Sequence, residues 1–236
     1  MAGVKVEVLR DGDALARAAV DWFETIIGQN DGRIAICLTG GTTPERMYSL
    51  LADRDLPWAR IHVFWGDERY VPHGDPLSNA GMARRALLER IAIPEENLHP
   101  IPTDTVDPEA AAEFYEAELK VFYGADEPHP DRPVFDIVLN GMGPDGHFAS
   151  LFPEARSLDE RRRWAVAAEP GMEPYVPRVT LTYPVLESCR AAAFLVSGAG
   201  KKDMLSRVLL GEDLPAARFR PQGPLTWFVD RAAAGL

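Results

Sequence analysis

The sequence predicts an α/β protein in which a largely parallel β-sheet carries helices on both faces. Short apolar segments rich in β-prone residues alternate with longer amphipathic segments along nearly all of the 236 residues, and this alternation is typical of parallel sheets. Neither a repeat nor a linker-like segment divides the chain, so we expect residues 1–236 to form a single domain. Hydrophobic residues make up 46% and charged residues 26% of the sequence, as in a globular domain with a substantial core.

Eight segments have the apolar, β-prone composition of strands. They are residues 5–8, 33–38, 61–65, 135–139, 164–168, 179–182, 191–196 and 225–229. Apolar positions at three- to four-residue spacing predict six helices. These are a helix capped by Asp13 that carries Leu15 to Ile26, residues 45–51, a helix that starts at Ser78 or Asn79 and reaches Ile91, and residues 108–122, 201–210 and 230–234. Residues 100–107 and 123–133 are predicted to be loops because they are rich in Pro, Asp or Gly.

The charge of the chain restricts its partners. It has 36 acidic side chains against 25 Lys and Arg residues, a net charge of −11, so nucleic acids and anionic membranes are not expected as general partners. An anionic small molecule would need a local cluster of cations. No apolar run approaches the roughly 20 residues of a membrane span, and the N-terminal segment lacks the apolar core of a signal peptide. We therefore expect a cytoplasmic protein.

No pattern typical of a metal site is found in the sequence. Cys37 and Cys189 are the only cysteines, which excludes a four-sulfur zinc site. Both are expected to be small buried residues rather than a disulfide. Four histidines lack the spacing of metal ligands such as HExxH, and these are His62, His73, His99 and His129. We expect no metal, and we interpret these four histidines as structural or solvent-exposed.

The stretch with the clearest functional signal is residues 135–153, FDIVLNGMGPDGHFASLFP. A predicted buried strand ends in a segment with three glycines, a proline and an aspartate, so a tightly shaped turn is expected there. The turn brings Asp145 and His147 to the carboxyl end of the strand, where open α/β sheets bind their ligands. A glycine-rich turn followed by a surface histidine is the alternative interpretation.

Two other predicted strands also end in loops of unusual composition. Residues 39–44, TGGTTP, offer backbone N–H groups, hydroxyls and a helix N-terminus, which together favour an anion. In residues 66–72, GDERYVP, the guanidinium of Arg69 suits an anion or a developing oxyanion. Lys201 follows a glycine-rich turn, and Arg178 precedes a strand. Each of these features is also compatible with an ordinary turn or a solvated surface, and neither a Walker A nor a GxGxxG pattern is present.

Taken together, these segments resemble the 6-phosphogluconolactonases. The resemblance is carried by LTGGTTP, WGDERYVP with SNAGMARRALL, GMGPDGHFASLFP, PRVTLT, SGAGKK and LPAARFRPQGPLTWFVDRAA, in family order from about Val4 to Ala234. It implies a Rossmann-like α/β fold, shared with the glucosamine-6-phosphate deaminases, and no required cofactor. The implied activity is hydrolysis of 6-phospho-D-glucono-1,5-lactone to 6-phosphogluconate in the oxidative pentose phosphate pathway. The family further implies a monomer or weak homodimer.

The resemblance also implies roles for individual residues. His147 would be the general base that takes a proton from the attacking water, a task suited to neutral imidazole near pH 7. Either Asp145 or Asp67 would orient His147 or the water, and Arg69 would stabilise the oxyanion or bind the substrate. The groups implied for the 6-phosphate are Gly40, Gly41, Thr42, Thr43, Lys201 and Arg178. Because no GxSxG motif is present, direct attack by water is favoured over an acyl-enzyme.

Two other functions are weighed against the lactonase. In the deaminase branch, the loop after the histidine carries a glutamate in a phrase like FNEP, whereas residues 150–153 here are SLFP. The deaminases also tend to have a tyrosine after the DE pair, where this chain has Arg69. Both departures favour the lactonase. A non-catalytic sugar-phosphate sensor would need the GGTT loop and Lys201 but neither Asp145 nor His147.

Overall fold

The computed structural model of the protein describes residues 3–236 and contains two β-sheets. The strands are β1 (Val4–Leu9), β2 (Ile34–Leu38), β3 (Ile61–Trp65), β4 (Asp67–Arg69), β5 (Leu98–His99), β6 (Phe135–Asn140), β7 (Ala165–Ala168), β8 (Arg178–Leu181), β9 (Cys189–Val196) and β10 (Leu225–Asp230). The α-helices are α1 (Gly12–Ile27), α2 (Thr42–Leu51), α3 (Asn79–Ala86), α4 (Pro108–Tyr123), α5 (Tyr183–Glu187), α6 (Lys202–Leu209), α7 (Pro215–Arg218) and α8 (Arg231–Ala234).

The larger sheet has seven strands in the order β1-β10-β9-β6-β2-β3-β5, and every neighbouring pair is parallel. Every residue of β2, β6 and β10 is buried, as expected for strands of a parallel sheet that is covered on both sides. The predicted fold class, α/β with a largely parallel sheet, is confirmed.

The direction of the connections defines where a ligand can bind. From β2 the chain proceeds to β3 and β5, whereas from β6 it proceeds to β9 and β10 on the other side. Because crossovers between parallel strands are right-handed, these opposite directions place the connecting helices on opposite faces. Helix α1 packs against α2, and α2 against α3, while α4 packs against β7 and β8. The switch point therefore lies between β2 and β6, and the loops that follow these two strands border it.

The smaller sheet differs from the prediction. Strand β8 lies between β4 and β7 and is antiparallel to both. Residues 164–168 and 179–182 were expected to be strands, but not in a separate antiparallel sheet. The prediction of a loop over residues 66–72 is wrong for residues 67–69, which form β4. Its three residues are all charged, and only pairing with β8 shows that they form a strand.

The boundaries of α1 and α3 also differ from the prediction. The side chain of Asp11, rather than Asp13, caps α1 by accepting a hydrogen bond from the backbone N–H of Ala14 at 2.8 Å. Helix α3 ends at Ala86 instead of reaching Ile91, and a separate single helical turn follows it. Apolar spacing identified both helices, but their ends depended on local backbone geometry, and for α3 the spacing extended beyond the helix.

Both sheets contribute to one hydrophobic core. Its largest buried side chains include Trp65 of the parallel sheet and Trp164 beside the antiparallel one. Cys37 and Cys189 are buried free thiols, which confirms the prediction for them, and burial raises the pKa of both. Within residues 3–236, no helix has both the length and the apolar character needed to cross a membrane.

Candidate active site

A cleft of about 130 Å³ lies at the switch point of the parallel sheet. Its walls come from the loops after β2 and β6, from β4 and β8, and from the start of α3. The residues that line it are Thr39, Gly40, Gly41, Asp67, Arg69, Asn79, Gly141, Met142, Gly143, His147, Phe148, Ala149 and Arg178. Six of the ten residues proposed from the sequence therefore line one cleft, although they come from four separate parts of the chain.

His147 and Asp145 form a hydrogen-bonded pair in the loop after β6. Nδ1 of His147 lies 2.5 Å from Oδ1 of Asp145, and the same oxygen accepts the backbone N–H of His147 at 3.2 Å. Burial favours the protonated carboxyl, but hydrogen bonds from His147 outweigh this effect and lower the pKa of Asp145. A carboxylate at Nδ1 assigns the proton of neutral imidazole to Nδ1. Nε2, which has no hydrogen-bond partner within residues 3–236, then carries the lone pair.

Gly143 and Gly146 of this loop meet constraints that other residues would not. A Cβ atom on Gly143 would lie 2.0 Å from Nδ1 of His147 and 2.8 Å from Oδ1 of Asp145. The backbone N–H of Gly143 donates to the carbonyl of His147 at 2.8 Å, which closes the turn. Gly146 has a φ of 82°, in the left-handed region that favours glycine. The turn therefore brings its own backbone against the imidazole and holds the ring in place.

Phe152 and Arg178 complete the surroundings of the histidine. The ring centroids of His147 and Phe152 are 4.4 Å apart. The guanidinium of Arg178 lies over the other ring at 5.3 Å from its centroid. A Cβ atom on Gly171 would collide with Phe152, so the segment before β8 also packs closely on this ring. These contacts restrict rotation of the imidazole.

Asp67 is held by groups other than His147. Its Oδ2 accepts a hydrogen bond from the hydroxyl of Ser150 at 2.6 Å, and its Oδ1 accepts one from the amide of Asn79 at 3.3 Å. Asp67 is buried. Of the two carboxylates that the sequence offered as partners of His147, Asp145 is the one in hydrogen-bonding contact with it.

Glu68 was not singled out from the sequence, and it is fully buried. Its carboxylate accepts hydrogen bonds from the backbone N–H groups of Arg69, Asn79 and Ala80 and from the hydroxyl of Ser78, all at 2.7–2.9 Å. Burial raises the pKa of Glu68, and these donors oppose the effect. The carboxylate thus ties β4 to the N-terminus of α3, where a negative charge is favoured. This positions Asp67, Arg69 and Asn79 relative to one another.

Arg69 and Arg178 are neighbours across β4 and β8. They are opposite each other in the antiparallel register. Nη1 of Arg69 donates to the carbonyl of Leu77 at 2.7 Å, and Nη2 of Arg178 donates to that of Pro174 at 3.4 Å. The Nε of each is buried and has no partner among the described residues. Burial lowers the pKa of Arg178, while nearby Asp67 raises it. Two arginines therefore line the cleft together with the carboxylate of Asp67.

The loop after β2 and Lys201 lie at the edge of the cleft. Helix α2 begins at Thr42, earlier than predicted, and Gly41 precedes it with a φ of 108°. Thr42 and Thr43 thus form the first turn of a helix, whose free N–H groups favour an anion. Nζ of Lys201 donates to the carbonyl of Met142 at 2.8 Å, so this lysine reaches the loop after β6. Burial lowers the pKa of Lys201, while Asp145 raises it.

Sequence reasoning missed Asn79, Ser150 and Phe152 as parts of the site. Asn79 lies so close to Gly40 that a Cβ atom there would be 1.9 Å from its Oδ1. The available signal was the position of each of these residues within a segment that resembles the family. Within residues 3–236, no group of three or more His, Cys, Asp and Glu side chains is arranged to hold a metal ion.

The fold and the cleft together define a Rossmann-like α/β protein that presents a His–Asp pair and two arginines at the switch point of its sheet. The chain belongs to a known family, because residues 10–227 match the family model of the glucosamine-6-phosphate isomerases/6-phosphogluconolactonase.

Similar proteins of this family are named 6-phosphogluconolactonase. One from Synechocystis sp. is 44% identical over 206 residues, which cover 86% of this chain and 84% of that protein. One from Nostoc sp. is 41% identical and covers 97% of this chain and 96% of that protein. The crystal structure of 6-phosphogluconolactonase from Thermotoga maritima matches with a TM-score of 0.85 at 33% identity, over 96% of this chain and 99% of that one. The resemblance to this family inferred from the sequence is confirmed.

Proposed function

We propose that this protein hydrolyses 6-phospho-D-glucono-1,5-lactone to 6-phospho-D-gluconate, with His147 as the general base. The observation that carries the proposal is the 2.5 Å contact between Nδ1 of His147 and Asp145, which leaves Nε2 as the proton acceptor beside the cleft. The names of the similar proteins support the same reaction and the same substrate.

Nε2 of His147 takes a proton from a water molecule as its oxygen attacks the lactone carbonyl. Asp145 stabilises the imidazolium that forms, because the lowered pKa of its carboxyl keeps it ionised at neutral pH. The carbonyl oxygen becomes an oxyanion, which the guanidinium of Arg69 at the wall of the cleft stabilises by its positive charge. When the intermediate collapses, the ring C–O bond breaks. The released ring oxygen takes the proton from His147 and becomes a hydroxyl, and the product is a carboxylic acid that ionises.

The 6-phosphate is assigned to the cationic side of the cleft. Gly40, Gly41, Thr42 and Thr43 provide backbone donors at the start of α2, and Lys201 and Arg178 provide positive charge. These groups concentrate favourable interactions in a protein whose net charge of −11 repels anions at longer range. Phosphate binding far from the carbonyl also positions the lactone for attack, which reduces the entropic barrier.

A serine nucleophile is not supported. Ser150, the hydroxyl nearest in sequence to His147, is fully buried and donates its hydrogen bond to Asp67 at 2.6 Å. Its hydroxyl is therefore committed to a carboxylate and does not face the cleft. Attack by water remains the route that the site supports.

The same loop separates this reaction from that of a deaminase. Phe152 packs on the imidazole at the place where the deaminase phrase carries its glutamate, so residues 150–153 offer no acid for ring opening. We further propose that the enzyme acts in the oxidative pentose phosphate pathway in the cytoplasm.

The test compares three substrates at equal protein concentration. Freshly generated 6-phosphogluconolactone should decay much faster with protein than by spontaneous hydrolysis, and unphosphorylated gluconolactone should be a poorer substrate with a higher KM. Glucosamine 6-phosphate should release no ammonia. Ammonia release would instead support the deaminase, and lactone binding without turnover would support a sugar-phosphate sensor.

A further inference from the structure

Strand β1 forms an exposed edge of the parallel sheet. Its only sheet neighbour among the described strands is β10. Val4, Val6 and Val8 project from one face and are 65%, 44% and 43% exposed. Proteins usually protect such an edge, because its unpaired N–H and C=O groups can pair with another strand. Three exposed valines on an unpaired edge are therefore an unusual surface for a protein with so many charged residues.

The unpaired backbone groups belong to the same three valines. The N–H of Leu225 donates to the carbonyl of Gly3 at 3.2 Å, and Val4 lies opposite Leu225 in the register. In a parallel ladder, alternate residues of a strand bond to the same neighbour. The odd-numbered residues of β1 thus bond to β10, and the N–H and C=O groups of Val4, Val6 and Val8 point to the free edge.

The charges of β1 are arranged symmetrically around Val6. Lys5 and Glu7 lie on the face opposite the valines, and their side chains form an ion pair at 2.7 Å. The order Val-Lys-Val-Glu-Val places opposite charges at equal distances from the centre. A strand with this pattern is complementary to a reversed copy of itself.

We propose that β1 pairs antiparallel with β1 of a second copy of this chain, about a two-fold axis through Val6. In this register the free groups of Val4 bond to the partner's Val8, and those of Val6 bond to the partner's Val6. Lys5 lies directly opposite the partner's Glu7, in the closely spaced non-hydrogen-bonded pairs of an antiparallel ladder. A two-fold axis makes every such contact twice, as in other symmetric dimers.

Other registers are less favourable. Pairing through the free groups requires even-numbered residues to oppose even-numbered residues. A shift that places Val4 opposite the partner's Val6 puts Lys5 opposite Lys5, and the opposite shift puts Glu7 opposite Glu7. Like charges directly opposite each other destabilise a sheet. Only the axis through Val6 combines the longest overlap with opposite charges.

The surface next to the valines is also apolar. Val4 borders a pocket of about 540 Å³ that Leu209, Phe219 and Trp227 also line. Paired copies would join the two valine faces into one strip beside these pockets. Five residues from each copy bury less than the roughly 800 Å² per partner of a standard interface, so the dimer is weak and depends on concentration. The cleft lies between β2 and β6, away from β1, so the inference is independent of the proposed activity.

The experiment measures dimer dissociation by sedimentation velocity over a concentration series into the millimolar range, with the full chain and no tag before β1. Lys5→Glu and Glu7→Lys should each raise the dissociation constant roughly tenfold, because each places like charges opposite each other twice. The double variant Lys5→Glu/Glu7→Lys should return to within a few-fold of wild type. An equimolar mixture of the two single variants should form heterodimers, since their charges are complementary.

Arg85→Glu serves as the matched control. It changes the net charge as Lys5→Glu does, but at an exposed site on α3, near the opposite edge of the sheet. It should leave the dissociation constant unchanged. A protein that stays monomeric throughout the series would overturn the proposal. A dimer that survives both single substitutions, or that the double substitution fails to restore, would also overturn it.

Discussion

The close contact between Gly143 and the imidazole of His147 makes Gly143→Ala a sharp test of the site. A Cβ atom at this position would lie 2.0 Å from Nδ1 and 2.1 Å from Cε1 of His147. Gly143 is not in the positive-φ region, so alanine can adopt its backbone conformation. The substitution therefore acts on the ring rather than through backbone strain.

The size of the effect follows from the displacement. Ordinary contacts of a Cβ atom begin at 3.4 Å, so the ring must move by more than about 1 Å. That movement also breaks the 2.5 Å hydrogen bond to Asp145, which assigns the tautomer. A misplacement of about 1 Å can cost about 100-fold in rate. We expect kcat for lactone hydrolysis to fall at least about 100-fold, equivalent to about 2.7 kcal/mol in the barrier, with a smaller change in KM.

The assay follows the decay of freshly generated 6-phosphogluconolactone, with circular dichroism and thermal unfolding to show that the variant is folded. Gly74→Ala is the matched control, because nothing lies within 4 Å of a Cβ atom there and Gly74 does not line the cleft. Its kcat should equal that of wild type. A folded Gly143→Ala protein with wild-type kcat would refute the assignment of His147 as a fixed general base.

Three further outcomes are expected. Lys201→Ala should raise KM roughly tenfold with little change in kcat, because a charge-assisted bond to phosphate is lost. Lys202→Ala, at the exposed neighbouring residue, should leave KM unchanged. A Lys201→Ala variant with the KM of wild type would exclude the phosphate role. Glu68→Gln should lower the free energy of unfolding, measured in urea, by about 2 kcal/mol, because the amide N–H₂ would face N–H and O–H donors that now bond to the carboxylate. An unchanged free energy of unfolding would contradict the capping role of Glu68. Burial, together with His99, lowers the pKa of His62 to about 4. The unfolded chain therefore binds this proton more readily. Stability that is complete above about pH 6.5 should fall by about 1 kcal/mol on acidification from about pH 7.5 to about pH 5, because solvent screens the charge of this partly exposed ring. His62→Phe should remove that part of the decrease, and equal decreases in the two proteins would contradict it.

The fold was largely predictable from the sequence because the strands of the parallel sheet are buried and read as apolar runs. Strands β2, β3, β6, β9 and β10 were all expected near their observed bounds. The exceptions are segments whose structure depends on distant partners. Strand β4 is entirely charged, β5 has only two residues, and α5 and α7 are too short to show a period. No local pattern identifies these elements.

The candidate site was predictable to the extent that it follows a strand end. Asp145 and His147 are two residues apart, so their proximity followed from the turn itself. Arg69 and Arg178 face each other only because of the register between β4 and β8, and the sequence does not specify that strand pairing. The role of Glu68 was hidden for the same reason, because its four donors include the N-terminus of a helix ten residues away.

The choice between Asp145 and Asp67 as the partner of His147 depends on three-dimensional distances. Both lie beside other candidate residues in segments that the sequence predicts to be loops at the same edge of the sheet, and composition alone cannot rank them. The hydrogen bonds distinguish the two carboxylates. Asp67 accepts hydrogen bonds from Ser150 and Asn79, whereas Asp145 contacts the imidazole of His147.

The most direct test of the account is the rate of 6-phosphogluconolactone hydrolysis by His147→Ala. Removal of a general base should lower kcat by roughly 100- to 10,000-fold with little change in KM, and the folded variant should still bind the product, 6-phosphogluconate. His129→Ala, at an exposed histidine outside the cleft, is the control and should keep wild-type activity. Near-wild-type turnover by the His147 variant would contradict the central claim.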